Sequence, residues 1–355
     1  MNPEQSRQPS RQNPLAKDGL RVLIALAVAA VVLIVAGILL FKYWKKKEQP
    51  QTPPPSGDEL QVHVLNVGQG DSILIIAPGG KSVLVDAGVP GSGKVVIDAM
   101  KRYGVDHIDL MVATHAHADH IGGADEVMRR TRVTTVLDSK VPNSTKNYED
   151  FLSAINETGV KYVPASPGQK FDLGGGATIT VLAPIQPFFT KDQLRSGANE
   201  PNANSVVTRL DYGDFSMLLT GDAEAETEDR LMSKGANIKA KVLKVGHHGS
   251  RYASSEKFLR QGGFETAIIS DGADNRYGHP SQDALDRLKQ LGVKLYRTDL
   301  EGEITIVSRG SGYQIRTERP ASGDLWAGRT PPKDDSADSS SASSSKQSRR
   351  AASSK

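Results

Sequence analysis

The chain has no cysteine among its 355 residues. That absence excludes a disulfide framework and excludes thiolate as a metal ligand, so any metal site must use histidine and oxygen ligands. No internal repeat of fixed period is present, which excludes an architecture of stacked repeats. The lack of cysteine is compatible with either side of a membrane.

Net charge is small, and the folded part of the chain has no excess of positive charge. The whole chain carries +3, but residues 1–50 contribute +5 and residues 331–355 contribute +2, which leaves −4 for residues 51–330. The basic isoelectric point therefore comes from the ends of the chain. We do not expect the whole folded domain to present a basic surface for nucleic acid. A local basic stripe on that domain is still compatible with its charge.

Charged residues are missing altogether from Val22 to Phe41, a run long enough to cross a bilayer as a helix. Arg21 precedes the run, and four lysines follow it, with Tyr43 and Trp44 placed as interfacial anchors. A cleaved signal peptide would need a small-x-small site, which does not follow the run. A buried core helix is disfavoured because every face is apolar. The run is therefore predicted to be a single-pass membrane anchor.

The two ends of the chain differ in composition from its middle. Residues 1–21 are a short polar tail, residues 42–58 are a basic, proline-rich linker, and residues 319–355 are a Ser-, Lys- and Arg-rich tail expected to be disordered. Residues 59–318 remain as one folded domain. Positive charges nearly balance across the anchor, so the positive-inside rule does not decide its orientation. We expect a cell-membrane protein with its folded domain outside the cell.

Short apolar strands alternate with amphipathic helices from Leu60 to Thr317. Several predicted helices end at a glycine suited to a left-handed cap, and a new strand follows within a few residues. This order is typical of an α/β fold with helices on the outside. No element is predicted between the helix at 148–158 and the strand at 177–182.

The most informative motif is the run from His115 to His120, which follows the apolar stretch Ile108–Ala113. Side chains two residues apart on an extended segment point the same way, so His115 and His117 can face one cation. As the chain turns, Asp119 and His120 can face a second cation, as in two-metal hydrolases. Imidazole and carboxylate ligands suit zinc, manganese or iron.

Polar residues also stand at the ends of other predicted strands. Asp86 ends one strand, Asp222 follows another, and His247 and His248 follow a third. This distribution disfavours the alternative interpretation of the run as a solvated loop that happens to be rich in histidine. We expect these strand ends to meet at one site.

These segments resemble the metallo-β-lactamase superfamily and, within it, the hydrolase domain of ComEC-type competence proteins. The resemblance implies a four-layer αββα sandwich with a metal site along one edge of two facing sheets. The segments that carry it are Asn66–Ser72, Leu84–Gly88, Thr114–Gly123, Leu219–Asp222, Leu243–Ser250 and Asn275–Ser281.

The resemblance also implies two divalent metal ions, zinc or manganese. His115 and His117 would hold one ion, Asp119 and His120 the other, and Asp222 would bridge both.

The last ligand is either His247 or His248. We favour His248 and expect His247 to contact phosphate. Asp86 resembles the aspartate that supports the histidine loop in the family. For Asp86 and Asp71, turn formation is an equal alternative.

One stretch departs from the family pattern. Many members supply a third histidine to the first metal before the bridging aspartate, but this chain has Asn202–Ser205 there. Asn204 or water would take that place, which makes the site more tolerant of manganese. Gly68-Gln69-Gly70 matches nucleotide-binding loops only weakly, and a tight turn near the metals explains it better.

The inferred reaction is attack of a bridging hydroxide on a phosphodiester. Basic and polar residues near the strand ends could bind phosphate or protonate the leaving group. For Lys244 and Arg276 an ordinary solvated charge is the alternative. The catalytic candidates are Lys244, His247, His279, Asp86 and Asn204, and the substrate-binding candidates are Ser250 and Arg276.

The sequence therefore predicts a membrane-anchored phosphodiesterase or nuclease whose partners are the membrane and a phosphodiester, including nucleic acid. No protein partner can be inferred. The alternative is a hydrolase of an ester, lactone, thioester or β-lactam, since one fold supports many chemistries. A non-catalytic binding module is a third hypothesis, which the intact set of metal-ligand candidates disfavours.

Overall fold

The computed structural model describes residues 26–27, 29–38, 57–273 and 275–330. Residues 26–27 and 29–38 are helical. No helix among the described residues is both long enough and apolar enough to cross a membrane. The predicted anchor, Val22 to Phe41, lies partly outside the described residues, and so do most of the linker and residues 331–355. The anchor therefore stays a prediction.

The described residues form fifteen strands in two mixed sheets. In chain order they are β1 Leu60–Val64, β2 Ile73–Ile76, β3 Ser82–Val85, β4 His107–Ala113, β5 Arg132–Asp138, β6 Lys161–Pro164, β7 Lys170–Gly174, β8 Ala177–Ala183, β9 Val207–Tyr212, β10 Phe215–Leu219, β11 Val242–Lys244, β12 Thr266–Ile269, β13 Lys294–Arg297, β14 Ile304–Ser308 and β15 Gln314–Thr317. The first sheet has the order β15-β14-β1-β2-β3-β4-β5-β6, and the second has the order β13-β12-β11-β10-β9-β8-β7.

Helices connect and cover the strands. They are α1 Gly93–Arg102, α2 Ala118–Ile121, α3 Ala124–Arg130, α4 Lys146–Thr158, α5 Glu200–Ala203, α6 Ala225–Ser233, α7 Glu256–Gly262, α8 Gln282–Gln290 and α9 Thr298–Glu301, with 3-10 turns at Lys191–Gln193 and Gly246–Gly249.

The apolar residues form three separate layers of core. Neighbouring residues of a strand point to opposite faces of the sheet, so Val85 packs between the two sheets while Leu84 packs against the outer helices. Phe151 of α4 belongs to that outer layer, and Leu285 of α8 belongs to the matching layer on the second sheet. The α/β fold with two mixed sheets is confirmed, and its layers are ordered αββα.

The parallel strand pairs bring the polar residues to one edge. β3 pairs in parallel with β4, and β10 pairs in parallel with β11, so the carboxyl ends within each pair meet. A backbone hydrogen bond from Val206 N to Thr114 O, 2.8 Å long, joins the segments before β9 and after β4. The segments after β3, β4, β10 and β11 therefore converge on one site.

The prediction that the disordered tail begins at residue 319 is wrong for residues 319–330. The buried guanidinium of Arg297 donates to the carbonyls of Leu325 and Ala327 at 3.0 and 2.7 Å. Arg329 pairs with Asp299, which is also buried. These contacts give the segment fixed partners, which its polar composition did not reveal.

Candidate metal centre

The first cluster of candidate ligands contains His115, His117 and Asp222. His115 Nε2 lies 3.0 Å from His117 Nδ1 and 3.7 Å from Asp222 Oδ2. Both histidines follow β4 in a bend that leads into α2, and the bend brings their ring nitrogens face to face.

The second cluster contains Asp119, His120, His248 and the same Asp222. His120 Nε2 lies 3.3 Å from His248 Nε2 and 3.2 Å from Asp222 Oδ1. His248 Nε2 lies 3.5 Å from Asp119 Oδ2. The two carboxylate oxygens of Asp222 therefore face different clusters, as a bridging ligand requires.

The residues fit two divalent cations. Facing ring nitrogens at 3.0 and 3.3 Å place several nitrogen atoms around each position. Asp222 Oδ1 is buried and has no hydrogen-bond partner among the described residues. An unsatisfied buried carboxylate oxygen is costly, and a cation removes that cost. The ligand types suit zinc or manganese.

The electrostatics favour the ligating forms of several residues. Burial lowers the pKa of His115 well below its ordinary value and also lowers the pKa of His117, so both rings are neutral. Burial acts to raise the pKa of Asp222, but the imidazoles of His120 and His248 outweigh burial and hold it well below the ordinary value. Metal ions bind neutral imidazole and ionised carboxylate.

Asp86 fixes the orientation of His120. His120 Nδ1 donates to Asp86 Oδ2 at 2.7 Å, and Thr114 donates to the same carboxylate from its amide and its hydroxyl. Burial lowers the pKa of His120, but Asp222 and Asp86 outweigh it and raise the pKa well above the ordinary value. Asp86 also has a left-handed backbone, with φ 57°. It therefore shapes the turn as well as orienting the ring, and it does not face a substrate.

His248, rather than His247, lies within the second cluster. Its Nδ1 donates to Ser270 O at 2.8 Å, which directs Nε2 toward Asp222. Both histidines have positive φ, 45° for His247 and 51° for His248. Such a backbone costs roughly 1–2 kcal/mol for each non-glycine residue, and it persists where the surrounding structure holds it.

His247 lies beside the first cluster and is partly exposed. Its Nε2 is 3.7 Å from Asp222 Oδ2, and its Nδ1 donates to Glu224 Oε1 at 2.7 Å. Glu224 is buried and pairs with Arg195. Sequence reasoning missed Glu224, although its position two residues after the bridging Asp222 was a usable signal.

The expectation that Lys244 contacts the substrate is wrong, and so is the alternative of a solvated charge. Its side chain is 1% exposed, and its ammonium lies 2.8 Å from Asp71 Oδ2 and 2.9 Å from Val245 O. Asp71 in turn lies behind His248, 3.6 Å from Nδ1. The Lys244–Asp71 pair therefore supports the site from behind.

The expectation that Asn204 fills the first metal site is also wrong. Its amide is fully engaged by backbone, because Oδ1 accepts from Phe189 N and Nδ2 donates to Phe189 O and Glu200 O. Asn202 points toward the site instead. Its Nδ2 lies 3.5 Å from His247, and its buried Oδ1 has no hydrogen-bond partner among the described residues.

The remaining candidates divide between the turn and the rim. Ser250 is buried, and its hydroxyl accepts from Tyr252 N, so it shapes the turn after the histidine pair and does not face a substrate. Arg276 is exposed and lies against Tyr277. The ring of His279 is 5.3 Å from that of His247. Burial lowers the pKa of His279 to about 4, so it is neutral at pH 7 and does not act there as an imidazolium acid.

The Gly68–Gly70 turn packs directly under the metal loop. Gly70 has φ 142°, and a Cβ placed there would lie 2.2 Å from the carbonyl oxygen of Asp119. That same oxygen accepts a hydrogen bond from Asp71 N at 3.1 Å. The glycine lets the backbone approach a candidate ligand, in agreement with the tight-turn interpretation.

Comparison with known proteins shows what this chain is similar to. A family model described as metallo-beta-lactamase superfamily matches residues 65–270. ComE operon protein 3 of Bacillus subtilis is 34% identical over 71% of this chain and 33% of that protein. Competence protein ComA of Neisseria gonorrhoeae is 29% identical over 77% of this chain and 34% of that protein. The chain thus spans about a third of the length of these curated relatives.

Among solved structures, the metallo-beta-lactamase fold protein YhfI of Bacillus subtilis aligns with 67% of this chain and 95% of that protein. The two are 16% identical, and the TM-score is 0.43.

Proposed function

Because this chain belongs to the metallo-β-lactamase superfamily, in its ComEC-type branch, we propose that it is a phosphodiesterase that uses two divalent ions, zinc or manganese. Metal-dependent hydrolysis is the coarser part of this statement and follows from the superfamily and its cluster of ligands. The number of ions, their identity and the phosphodiester substrate, including nucleic acid, are the proposal. The observation that carries it is Asp222, whose two oxygens face two separate clusters.

Divalent ions held there would supply an acidified water as the nucleophile and positive charge opposite the phosphoryl oxygens. The chain's own residues prepare the site. His115 and His117 are held neutral by burial, and Asp86 fixes the ring of His120. Their positions exist before a substrate binds, so little reorganisation is required at the moment of reaction.

The rim favours an anionic substrate. The Nδ1 atom of His279 is buried and has no hydrogen-bond partner among the described residues, so it can bind a phosphoryl or leaving-group oxygen. Arg276 adds an exposed positive charge four residues before Pro280, in the same loop. Residues 51–330 carry a net charge of −4, so the domain as a whole does not attract an anion. The electrostatic attraction for a phosphodiester therefore has to come from this rim.

Membrane anchoring through Val22 to Phe41, with the catalytic domain outside the cell, is a separate part of the proposal. The uncharged run and its flanking residues support the anchor, whereas the nearly balanced positive charges on its two sides do not decide its orientation.

The test uses the full chain in detergent, loaded with manganese or zinc. The phosphodiester panel contains bis-p-nitrophenyl phosphate, single- and double-stranded DNA, and RNA, and the acyl panel contains nitrocefin, a lactone and an acyl thioester. We expect turnover on the phosphodiester panel. Asp222→Asn should lower it by on the order of 10³-fold, since the bridging charge supports both ions. Asp229→Asn, which removes an exposed acid from α6, should leave it unchanged.

Three results would contradict the proposal. Turnover of the acyl panel without phosphodiester cleavage would favour the ester, lactone, thioester or β-lactam alternative. Elemental analysis that finds no bound metal after loading would favour a non-catalytic module. Equal activity of Asp222→Asn and the unsubstituted protein would remove the bridging role.

A further inference from the structure

The first cluster has two imidazoles, one fewer than many members of the superfamily supply to this metal. It contains His115, His117 and Asp222, and the segment before β9 adds no histidine. Asn204, the expected substitute, is hydrogen-bonded to backbone on both sides of its amide. A zinc site usually has four ligands, so the question is which side chain stands closest to this cluster.

His247 approaches the cluster from the turn after β11 and lies at its Asp222 side. Its Nε2 lies 3.7 Å from Asp222 Oδ2, and His115 Nε2 lies 3.7 Å from the same oxygen. Ligand atoms about 2.1 Å from one ion lie roughly 3–4 Å from each other, so His247 and Asp222 are spaced as two ligands of a shared ion. His247 does not lie within 4.8 Å of every other ligand atom of the cluster, so its ring has to move toward the histidines when the ion binds.

The hydrogen bonding of His247 matches that of the two histidines in the second cluster. Nδ1 of His247 donates to Glu224 Oε1 at 2.7 Å, Nδ1 of His120 donates to Asp86 Oδ2 at 2.7 Å, and Nδ1 of His248 donates to Ser270 O at 2.8 Å. In all three rings Nε2 faces Asp222, and Nε2 of His247 also lies 3.5 Å from Asn202 Nδ2. Metal-bound histidines usually donate their other ring N–H to a carboxylate or a backbone carbonyl in this way.

His279 provides the contrast. Its ring lies near that of His247, but its Nδ1 has no hydrogen-bond partner among the described residues and no carboxylate orients it. Proximity to the cluster alone therefore does not produce the ligand-type hydrogen bonding.

Glu224 is itself held in place from outside the cluster. It is buried at the start of α6, and Arg195 from the loop after β8 pairs with its second oxygen. His247 N donates to Gly221 O at 3.1 Å, which keeps the ring close to Asp222 despite the unfavourable left-handed backbone.

We infer that His247 is the third imidazole ligand of the first metal ion and that Glu224 is its positioning residue. This inference rests on the two-metal site of the proposed function. The same histidine pair would then serve both ions, with His247 at the first and His248 at the second. The pair would supply the imidazole that Asn202–Ser205 lacks.

The test measures metal binding directly, with the metal-free full chain titrated with cobalt(II) and with zinc by calorimetry and by visible absorption. His247→Asn is the main variant, because asparagine tolerates a left-handed backbone. His279→Asn is the matched control for loss of a neighbouring imidazole. Glu224→Gln tests the positioning role, with thermal unfolding recorded for each variant.

We expect two equivalents of metal in the unsubstituted protein and in His279→Asn. In His247→Asn one class of site should weaken by about 100-fold or more, and its cobalt spectrum should shift, while the other class is retained. In Glu224→Gln that same class should weaken by about 10–100-fold.

Two equivalents bound by His247→Asn with unchanged affinity and spectrum would overturn the inference. Equal weakening of both classes, or equal effects of His247→Asn and His279→Asn, would also overturn it. A protein that binds two ions as described but cleaves no phosphodiester would refute the proposed substrate and leave His247 as a ligand. A protein that binds no metal would overturn both.

Discussion

A methyl group added at Gly70 should disable the metal site with no change to any candidate ligand. The added Cβ would lie 2.2 Å from Asp119 O and 3.1 Å from Asp119 C. A carbon–oxygen contact is free of steric clash only beyond about 3.0–3.2 Å, so the Asp119 carbonyl would have to move away by about 1 Å. Asp119 carries a candidate ligand of the second cluster, and a misplacement of about 1 Å can cost on the order of 100-fold in rate.

Gly68 supplies the matched control in the same turn. It has φ 76°, and a Cβ placed there would meet nothing within 4 Å. Gly68→Ala therefore adds only backbone strain, roughly 1–2 kcal/mol, whereas Gly70→Ala adds the strain and the collision.

The assay compares the two variants for metal affinity by calorimetry, for turnover of bis-p-nitrophenyl phosphate, and for thermal unfolding. We expect Gly68→Ala to lose some stability and keep its metal affinity. Gly70→Ala should weaken one metal by at least tenfold and lower turnover by about 100-fold. If Gly70→Ala matched Gly68→Ala within threefold in affinity and turnover, the turn would not set the position of Asp119 and the reasoning would be refuted.

Two further predictions concern stability. Burial raises the pKa of Glu228 to about 7 from an ordinary value near 4.5, despite amide hydrogen bonds from Ser254 and Ser255. Because the folded-state pKa is raised, the protonated carboxyl stabilises the fold fully below pH 4.5. This contribution to the free energy of unfolding, about 3 kcal/mol, is lost as the pH rises through about 7. The unfolding free energy of the metal-free protein should therefore fall relative to Glu228→Gln between pH 4.5 and 8, and a difference independent of pH would contradict this assignment. Deletion of residues 319–355 should lower the melting temperature by several degrees, because Arg297 loses its carbonyl acceptors and Asp299 loses Arg329. Deletion of residues 331–355 is the control and should leave the melting temperature unchanged. If the two deletion variants had equal melting temperatures, residues 319–330 would add nothing to stability.

Local sequence patterns were sufficient to predict most strands, because strands buried on both faces read as continuous apolar runs, as in Ile73–Ile76. β6 and β7 were missed for the opposite reason. Lys161–Pro164 is a short, half-exposed edge strand that ends in proline, and Lys170–Gly174 contains a register shift against β8. Neither has the burial that produces a strong apolar pattern.

Residues of the site were predictable where the signal lay within one motif. His115 and His120 belong to a single short run whose spacing encodes its geometry. Lys244 was misinterpreted because its partner, Asp71, lies far away in sequence, and such a buried pair leaves no local trace. Glu224 differs, because its place two residues after Asp222 was a local signal, although its partners His247 and Arg195 lie on other segments.

The position of β1 inside the first sheet has a consequence for the order of folding. β1 pairs with β2 on one side and with β14 on the other, so His63 faces Thr305 across 242 residues of chain. Closing so long a loop carries an entropic cost, and folds rich in distant pairings form slowly. During synthesis the β14 side of β1 remains an open edge until nearly the whole domain has been made, and such an edge can pair with another chain. The first strand to be made therefore depends on one of the last to complete its sheet.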